Sequence, residues 1–361
     1  MPRRTNHLTR IPLESMIRAP ARIPNTEGLA VVHFSMWLWP YGRWGGFDGI
    51  GRAAKRIEEL GFDSITVSDH TVCPTGPEGD GLMPDWPDWA VTSAYLSTIT
   101  TRLRIVACVA IPYRSPLVTA KQVATIDDLS RGRLTLAACV GWWEREFDML
   151  NVPYARRGAV MDEYLEAMRV MWTEERPRFD GEFVSLCDLV FEPRCYQRPH
   201  VPIWIAGGAG RKSLERLWRV GDGWMPMGDD RPALLGETIA RIKDGAEQRG
   251  RDSRRLSFRY TIGLGEAESA LGLLSSAIAG ANGGIVADEP SSTASFAGNA
   301  DQVVDAIHQY AEAGFTELAI NPSGRSYAAC MERVEWFAAE VLPLLEAGLR
   351  DVRCGSPDRP A

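Results

Sequence analysis

The sequence has few of the residues that cross-link a fold or bind a structural metal. It contains seven cysteines, an odd number, and no Cys-x-x-Cys pair. It contains five histidines, and neither a His-x-His nor a His-Glu-x-x-His motif is present. A disulfide framework, a structural zinc site and the ligand set of a metallohydrolase are therefore not expected. Reduced thiols in a cytoplasmic protein without a metal are the expectation instead.

An excess of positive charge and a long apolar segment are also missing. The chain has 47 acidic residues against 40 basic ones, which gives a net charge of −7. Because nucleic-acid binding requires a basic face, we expect no nucleic-acid partner. No run approaches the length of about eighteen apolar residues that a membrane-spanning helix needs, so we expect no membrane partner. These absences favour a globular protein that acts on a small molecule.

Short apolar segments alternate with helical patterns from residue 29 onward. The expected strands are Leu29–Phe34, Asp63–Val67, Leu103–Ile111, Arg133–Cys139, Pro202–Ala206, Gly223–Met227, Leu256–Gly263 and Thr316–Ile320. The expected helices are Phe47–Leu60, Trp89–Ile99, Pro116–Leu129 and Arg157–Trp172, with others beginning near Lys212, Pro232, Asp301 and Tyr327. Eight such units predict an α/β fold of the (β/α)8 TIM barrel class, with an open doubly wound sheet as the alternative.

The segments that break this alternation define the expected domain organisation. Residues 1–28 are rich in arginine and lack an apolar stretch, so we expect a disordered tail or an arm that lies across a partner subunit. A single barrel is expected over residues 29–350, followed by a tail at 351–361. Insertions are expected near 179–200, as a small β-ribbon, and near 266–298, where alanine, serine and glycine dominate.

The carboxyl ends of barrel strands build the active site, so residues there are the first candidates. Asp69 and His70 follow the second predicted strand. Such a pair can hold a polar ring edge and move a proton, although a turn aspartate beside a solvated histidine gives the same pattern. The segment Gly208, Ala209, Gly210 opens a helix after the fifth strand. It can offer backbone N–H groups to a phosphate, or it can be a flexible turn.

Tryptophan is abundant, with twelve residues in the chain. Trp37, Trp39 and Trp44 follow the first strand and could line a pocket for a flat or apolar substrate, or simply pack a loop. Trp142 follows Gly141 after the fourth strand, where it could wall an aromatic ligand or pack the loop onto the barrel.

Several blocks of sequence are familiar when they are read in order. They include EELGFDSITVSDH at 58–70, GWWEREF at 141–147, PIWIAGG at 202–208 and RVGDGWMPM at 219–227. Together they resemble the luciferase-like monooxygenase superfamily, and the match is closest to its branch of coenzyme F420-dependent oxidoreductases. The resemblance is strong over roughly residues 30 to 227 and looser over the last two strands.

The resemblance implies a barrel with an insertion, usually a homodimer, that binds a flat ring at the strand ends. The residues it assigns to the cofactor are Asp69, Cys108, Val109, Gly141, Gly208, Ala209 and Gly210. Asp69 would contact the ring and His70 would give or take a proton, while the glycine-rich segment would hold the phosphate. The Cys108–Val109 peptide falls at a strand bulge where members often have a cis non-proline bond.

Two departures from the family pattern bear on the substrate. Trp142 stands where glutamate often follows the glycine, so the general acid of sugar-oxidising relatives is expected to be missing. The segment 228–230 carries no lysine of the kind that binds a sugar phosphate. We therefore expect hydride transfer between the deazaflavin F420 and a neutral or apolar small molecule. The alternatives are an FMN-dependent monooxygenase, supplied by a separate reductase, and a non-catalytic flavin-binding protein.

Overall fold

Eight parallel strands form the centre of the molecule. The computed structural model describes residues 32–75, 84–227, 231–264, 295–296, 298–322 and 324–345. The strands are β1 His33–Trp37, β2 Ser64–Ser68, β3 Arg104–Ala110, β4 Leu134–Cys139, β5 Ile203–Ala206, β6 Gly223–Met225, β7 Ser257–Leu264 and β8 Glu317–Pro322.

The strands close into a barrel. Each strand pairs in parallel with the next one along the chain, and β8 pairs with both β7 and β1. The β3–β4 ladder runs without interruption from the pair Ile105 and Leu134 to the pair Ala110 and Cys139. This closure confirms the predicted (β/α)8 barrel and excludes the open sheet.

Helices follow the strands and cover the outside of the barrel. They are α1 Gly46–Glu59, α2 Trp89–Ile99, α3 Pro116–Ser130, α4 Glu144–Met149, α5 Arg157–Thr173, α6 Arg211–Val220, α7 Pro232–Glu247, α8 Ala300–Glu312 and α9 Tyr327–Trp336. Local sequence explains several starts. Asp88 accepts hydrogen bonds from the first backbone N–H groups of α2, and Asn299 with Gln302 forms a capping box on α8.

Of the two predicted insertions, the structure describes the first and only a small part of the second. Phe179–Asp180 and Ser185–Leu186 form an antiparallel ribbon, as expected within 179–200. The segment 266–298 lies almost wholly outside the described residues, apart from Ser295–Phe296, which extends the sheet beside β7. The predicted tails at 1–28 and 351–361 also lie outside them.

The barrel interior is filled by layers of side chains that alternate with those facing the helices. At the amino ends of the strands, the buried Arg259 pairs with Glu317, and Glu317 also pairs with Arg104. An apolar layer lies above this cluster and consists of Val106, Ala137, Trp204, Ala206 and Met225. The interior is therefore packed from its amino-terminal pole upward, and space for a ligand lies at the carboxyl-terminal pole.

Candidate active site

Asp69 follows β2 at the carboxyl-terminal pole and is held by an arginine. Its two carboxylate oxygens face the two terminal nitrogens of Arg114 at 2.5 and 2.7 Å, and the backbone N–H of Ala110 donates at 3.3 Å. Burial raises the pKa of Asp69, while the hydrogen bonds and charge of Arg114 oppose that shift. The same pairing outweighs burial at the guanidinium and raises the pKa of Arg114. In this arrangement the Asp69 carboxylate is occupied by Arg114, which leaves the neighbouring His70 as the side chain that can move a proton.

His70 stands between a carboxylate and an indole. Its Nδ1 lies 2.9 Å from Oε2 of Glu146, and the indole N–H of Trp142 donates to its Nε2 at 3.2 Å. Because the indole nitrogen can only donate, Nε2 is the acceptor and the proton of the neutral ring lies on Nδ1, directed at Glu146. The side chain of His70 is only 10% exposed. The three side chains therefore form one hydrogen-bonded chain at the mouth of the barrel, named here the Glu146–His70–Trp142 relay.

Glu146 is fully buried, and its pKa is nevertheless lowered. It lies in the short helix α4, beside the buried Phe147, so this turn directs its side chain inward. The backbone N–H groups of Thr71 and Val72 donate to its other oxygen at 2.7 and 3.4 Å. Burial would raise the pKa of Glu146, but the hydrogen bond and charge of His70 and the Thr71 N–H together lower it. A carboxylate at this point fixes the orientation of the His70 ring.

Aromatic rings surround the relay. The Trp86 ring lies 4.8 Å from the His70 ring and 5.4 Å from the Trp39 ring, and Trp39 in turn lies 5.9 Å from Trp37. Trp37 donates its indole N–H to Ser68 at 2.6 Å, which fixes its orientation. The buried indole N–H of Trp39 meets no acceptor among the described residues. Trp37, Trp39 and Trp142 are thus brought into one aromatic layer, in which all three side chains are buried, and their role in a substrate pocket stays a prediction.

Trp44, the fourth of the predicted pocket residues, has a different environment. It is 1% exposed and packs edge-on against Tyr327 of α9, with ring centroids 6.1 Å apart. In the described part of the chain it makes no ring contact with the aromatic residues around His70. The structure supports packing for Trp44, one of the two roles that the sequence left open.

The Cys108–Val109 peptide does not have the expected geometry. In the described ranges the cis peptide bonds precede Pro40, Pro193 and Pro199, so the expected cis bond after Cys108 is wrong. The uninterrupted β3–β4 register explains the difference, because no bulge distorts this strand. Cys108 points into the barrel, where it joins the interior layer, whereas the Val109 side chain is buried between the strands and the helices.

The backbone conformation and the close neighbours of residue 141 require a glycine at this position. Its φ is +78°, and a β-carbon there would lie 2.7 Å from the Phe147 ring and 2.9 Å from the Tyr113 ring. The backbone therefore turns at this point in a conformation that glycine adopts without strain. This turn brings Trp142 over His70, so Gly141 shapes the relay whether or not it also touches a cofactor.

The loop after β5 has the geometry of a phosphate cradle. Gly207 has a φ of +133°, and β-carbons built on Gly207, Gly208 and Gly210 would meet no atom within 4 Å. No side chain among the described residues caps the start of α6, so its first backbone N–H groups face this open space. A cleft of about 320 Å³ lies between the starts of α5 and α6, lined by Lys212, Arg156 and Arg216 and also by the carboxylates of Asp162 and Glu215. The predicted residues Gly208, Ala209 and Gly210 thus fit an anionic group.

Three residues of this site were not assigned by sequence reasoning: Arg114, Glu146 and Trp86. Glu146 is separated from His70 by 76 positions and Arg114 from Asp69 by 45, so no local spacing connects them. The one available signal was the acidic residue next to an aromatic one in the GWWEREF block, because a charge beside a core residue often faces inward at a site. In the described ranges no group of three or more histidine, cysteine, aspartate or glutamate side chains could hold a metal ion.

Comparisons with known proteins identify the family of the chain. The family model of luciferase-like monooxygenases matches residues 29–269. An uncharacterised protein of Mycobacterium tuberculosis is 33% identical over 213 residues, which covers 55% of this chain and 74% of that protein. The FMNH2-dependent dimethylsulfone monooxygenase of Pseudomonas putida is 31% identical over 137 residues, which covers 37% and 38%.

A solved structure shares the fold. An F420-dependent secondary alcohol dehydrogenase, in complex with an F420-acetone adduct, superimposes with a TM-score of 0.71 at 18% identity, covering 87% of this chain and 99% of that one. No helix in the described ranges is long and apolar enough to cross a membrane. From the barrel, the relay at its mouth and the matching family model, we conclude that the chain belongs to the luciferase-like monooxygenase family and is an oxidoreductase of that family.

Proposed function

We propose that this enzyme transfers a hydride between the deazaflavin F420 and a neutral or apolar small molecule. The observation that carries the proposal is the buried Glu146–His70–Trp142 relay at the carboxyl-terminal pole. It provides a fixed imidazole that can take up or release one proton while its partner carboxylate stays charged. When bound, a deazaflavin supplies the acceptor or donor for the hydride, and the protein supplies placement and electrostatics.

The working atom of His70 in this proposal is Nε2. Nδ1–H is anchored on Glu146, so only Nε2 can exchange a proton with a ligand. Trp142 covers that nitrogen, and its indole must give way to the substrate hydroxyl or carbonyl. When Nε2 takes a proton from a substrate hydroxyl, Glu146 stabilises the imidazolium that forms, as the buried aspartate does in a catalytic triad. The reverse transfer serves a carbonyl that is being reduced.

The surroundings of the relay support a substrate without a net charge. Trp86 packs edge-on against His70, and the buried Trp39 and Trp37 extend this aromatic layer away from the imidazole. The Asp69 carboxylate is already neutralised by Arg114. Among the described residues, the arginine that interacts with both Asp69 and Glu146 is Arg114, which is paired, whereas Lys212 lies in the first turn of α6. The phosphate of the cofactor would lie at that loop, on Gly208, Ala209, Gly210 and Lys212.

The alternative activity is an FMN-dependent monooxygenase that receives reduced flavin from a separate reductase. The relative from Pseudomonas putida, which is FMNH2-dependent by name, favours it. The phosphate cradle serves both cofactors equally. We also propose that the enzyme is a homodimer, because the family resemblance implies one, and light scattering that gives the mass of one chain would overturn this.

A pair of binding titrations separates the two cofactors. We expect apo-protein to bind F420 tightly and FMN weakly, as measured by fluorescence. If FMN binds tightly and F420 weakly, the monooxygenase activity replaces the proposed one, and oxygen consumption with reduced FMN becomes the assay. If neither binds, the cofactor assignment fails altogether.

His70→Ala tests the role of the relay. We expect cofactor binding to survive and turnover of neutral alcohols or ketones to fall by about 10²- to 10⁴-fold, the usual loss when a positioned acid or base is removed. His308→Ala is the matched control, since that histidine is exposed on α8. A wild-type protein that binds cofactor but turns over no substrate would point to the non-catalytic flavin-binding alternative.

A further inference from the structure

Two cysteines meet inside the barrel at its carboxyl-terminal pole. The Sγ atoms of Cys108 and Cys139 lie 3.0 Å apart. The contact follows from the strand register: Cys108 of β3 is paired with Ala137 of β4, and Cys139 lies two residues further along on the same face. Both side chains therefore enter the barrel interior, one diagonal step apart across neighbouring strands.

The two thiols differ from the other described cysteines in being both paired and reachable. Cys195 and Cys330 are buried, whereas Cys108 and Cys139 are partly exposed. They lie above the apolar layer of Val106 and Ala137, at the level where the barrel opens. A small oxidant that enters the mouth can reach them, and the packed layer beneath holds the strands in place.

We propose that Cys108 and Cys139 form an oxidisable dithiol, which closes to an intramolecular disulfide when a peroxide enters the barrel mouth. A disulfide has an S–S distance of about 2.05 Å, so the two sulfur atoms have to approach by only about 1 Å. The family resemblance assigned Cys108 alone to the cofactor, and the proposed mechanism uses neither thiol. The odd number of cysteines gave no reason to expect a pair.

The chemistry balances with peroxide as the oxidant. One oxygen of hydrogen peroxide converts the Cys108 thiol into a sulfenic acid, and the other leaves as water. The Cys139 sulfur then attacks the Cys108 sulfur, the S–O bond breaks, and hydroxide leaves with the Cys139 proton as a second water. The two thiols lose two electrons and two protons in total. The hydrogen bond with Cys108 and burial raise the pKa of Cys139, which keeps it a thiol until this second step.

Peptide mapping tests the proposal directly. Reduced, folded protein is treated with hydrogen peroxide, its remaining thiols are alkylated, and it is digested with trypsin without a reductant. Cleavage after arginine places Cys108 in the peptide 105–114 and Cys139 in the peptide 134–145, each with one cysteine. We expect these two peptides to be linked, at a mass two hydrogens below their sum, and the link to disappear on reduction.

Variants and an unfolded control make the result specific. Cys108→Ser and Cys139→Ser should each abolish the link, and Cys187→Ser, which changes an exposed cysteine, should leave it intact. Protein oxidised in guanidinium should give mixed pairings instead. The proposal is overturned if both peptides are recovered alkylated after oxidation of the folded protein, or if either cysteine is linked to a different partner.

Discussion

A buried carboxylate is costly unless neighbouring groups compensate its charge, and Glu146 is compensated by the groups it orients. It accepts from His70 and from the backbone of Thr71, and its pKa is lowered despite complete burial. The residue is therefore both a structural tie between two loops and the electrostatic partner of the candidate base. Its two roles can be separated by a neutral side chain of the same shape. Such a side chain keeps part of the structural tie but carries no charge to act on His70.

Glu146→Gln is expected to lower kcat by about 10²-fold, because the amide cannot stabilise a protonated His70. Cofactor affinity should stay unchanged, since the phosphate loop and the aromatic residues are untouched. Steady-state kinetics and a binding titration measure both quantities. Glu144→Gln, at an exposed position of the same helix, is the control. An unchanged kcat in Glu146→Gln would show that the relay is structural only.

Arg114→Ala is expected to lower the free energy of unfolding by about 3 to 5 kcal/mol, because it leaves the buried Asp69 carboxylate without a partner. Asp69 is 1% exposed at its side chain, whereas Arg114 is 20% exposed. Urea denaturation followed by circular dichroism measures the change. Arg254→Ala removes an exposed pair with Asp252 and should leave the free energy of unfolding almost unchanged. Equal losses in the two variants would contradict the argument.

At the scale of elements, the loop from β5 into α6 combines an open glycine surface with an uncapped helix start. The glycines cost stability in the absence of a ligand, because glycine loses more conformational freedom on folding than any other residue. A bound phosphate would accept hydrogen bonds from the N–H groups. It would also explain the glycines, because they let the backbone approach the anion closely. Lys212, in the first turn of α6, adds a positive charge to the same cleft.

Lys212→Ala is expected to weaken FMN or F420 binding by about tenfold, the usual loss when a charged hydrogen bond to phosphate is removed. Riboflavin has no phosphate, so its affinity should be the same for wild type and variant. Isothermal titration calorimetry measures all three ligands. Lys55→Ala, at an exposed position on α1, is the control. A parallel loss for riboflavin would place the phosphate elsewhere.

Elements were also the level at which the sequence was most informative. The predicted bounds of Trp89–Ile99 match α2, and the other expected helices begin within one residue of the observed ones. Hydrophobic periodicity and capping residues are local signals, so they predict helices and strands without knowledge of the fold. The end of β1 was placed too early, at Phe34 instead of Trp37, because Ser35 interrupts the apolar run. The relay could not be derived in the same way, because Glu146 and His70 meet only after the barrel has closed.

At the scale of the whole molecule, the residues that stabilise the barrel interior and those of the candidate active site lie at opposite poles. The amino-terminal pole is filled by Arg259, Glu317 and Arg104, with Ser64 donating to Glu317 at 2.8 Å. Burial would raise the pKa of Glu317, but the charges of Arg104 and Arg259 lower it below its usual value of 4.5. No sequence pattern placed Arg104, Arg259 and Glu317 together, since they come from three different strands.

The lowered pKa of Glu317 predicts a loss of stability in acid. The unfolded chain binds a proton at Glu317 before the folded one does, so this contribution is complete above about pH 4.5 and is lost as the pH falls through the folded value. Glu317→Gln should reduce the free energy of unfolding by about 3 to 5 kcal/mol at neutral pH, because Arg259 loses its partner. It should also flatten the decline below pH 4.5.

Urea unfolding at a series of pH values measures both effects of this substitution. Glu59→Gln, at an exposed side chain, should leave the pH dependence as it is in the wild type. A decline of equal steepness in wild type and Glu317→Gln would show that other carboxyl groups govern acid unfolding.

The filled amino-terminal pole also restricts how ligands enter and leave the barrel. Arg259 spans the interior to contact Ser35, Thr66 and Met225, which come from three further strands. In the described part of the chain, this packing leaves the barrel open only at its carboxyl-terminal pole, where the phosphate loop and His70 lie. Two ligands that use the same opening cannot pass each other, so the ligand that binds deeper must bind first and dissociate last.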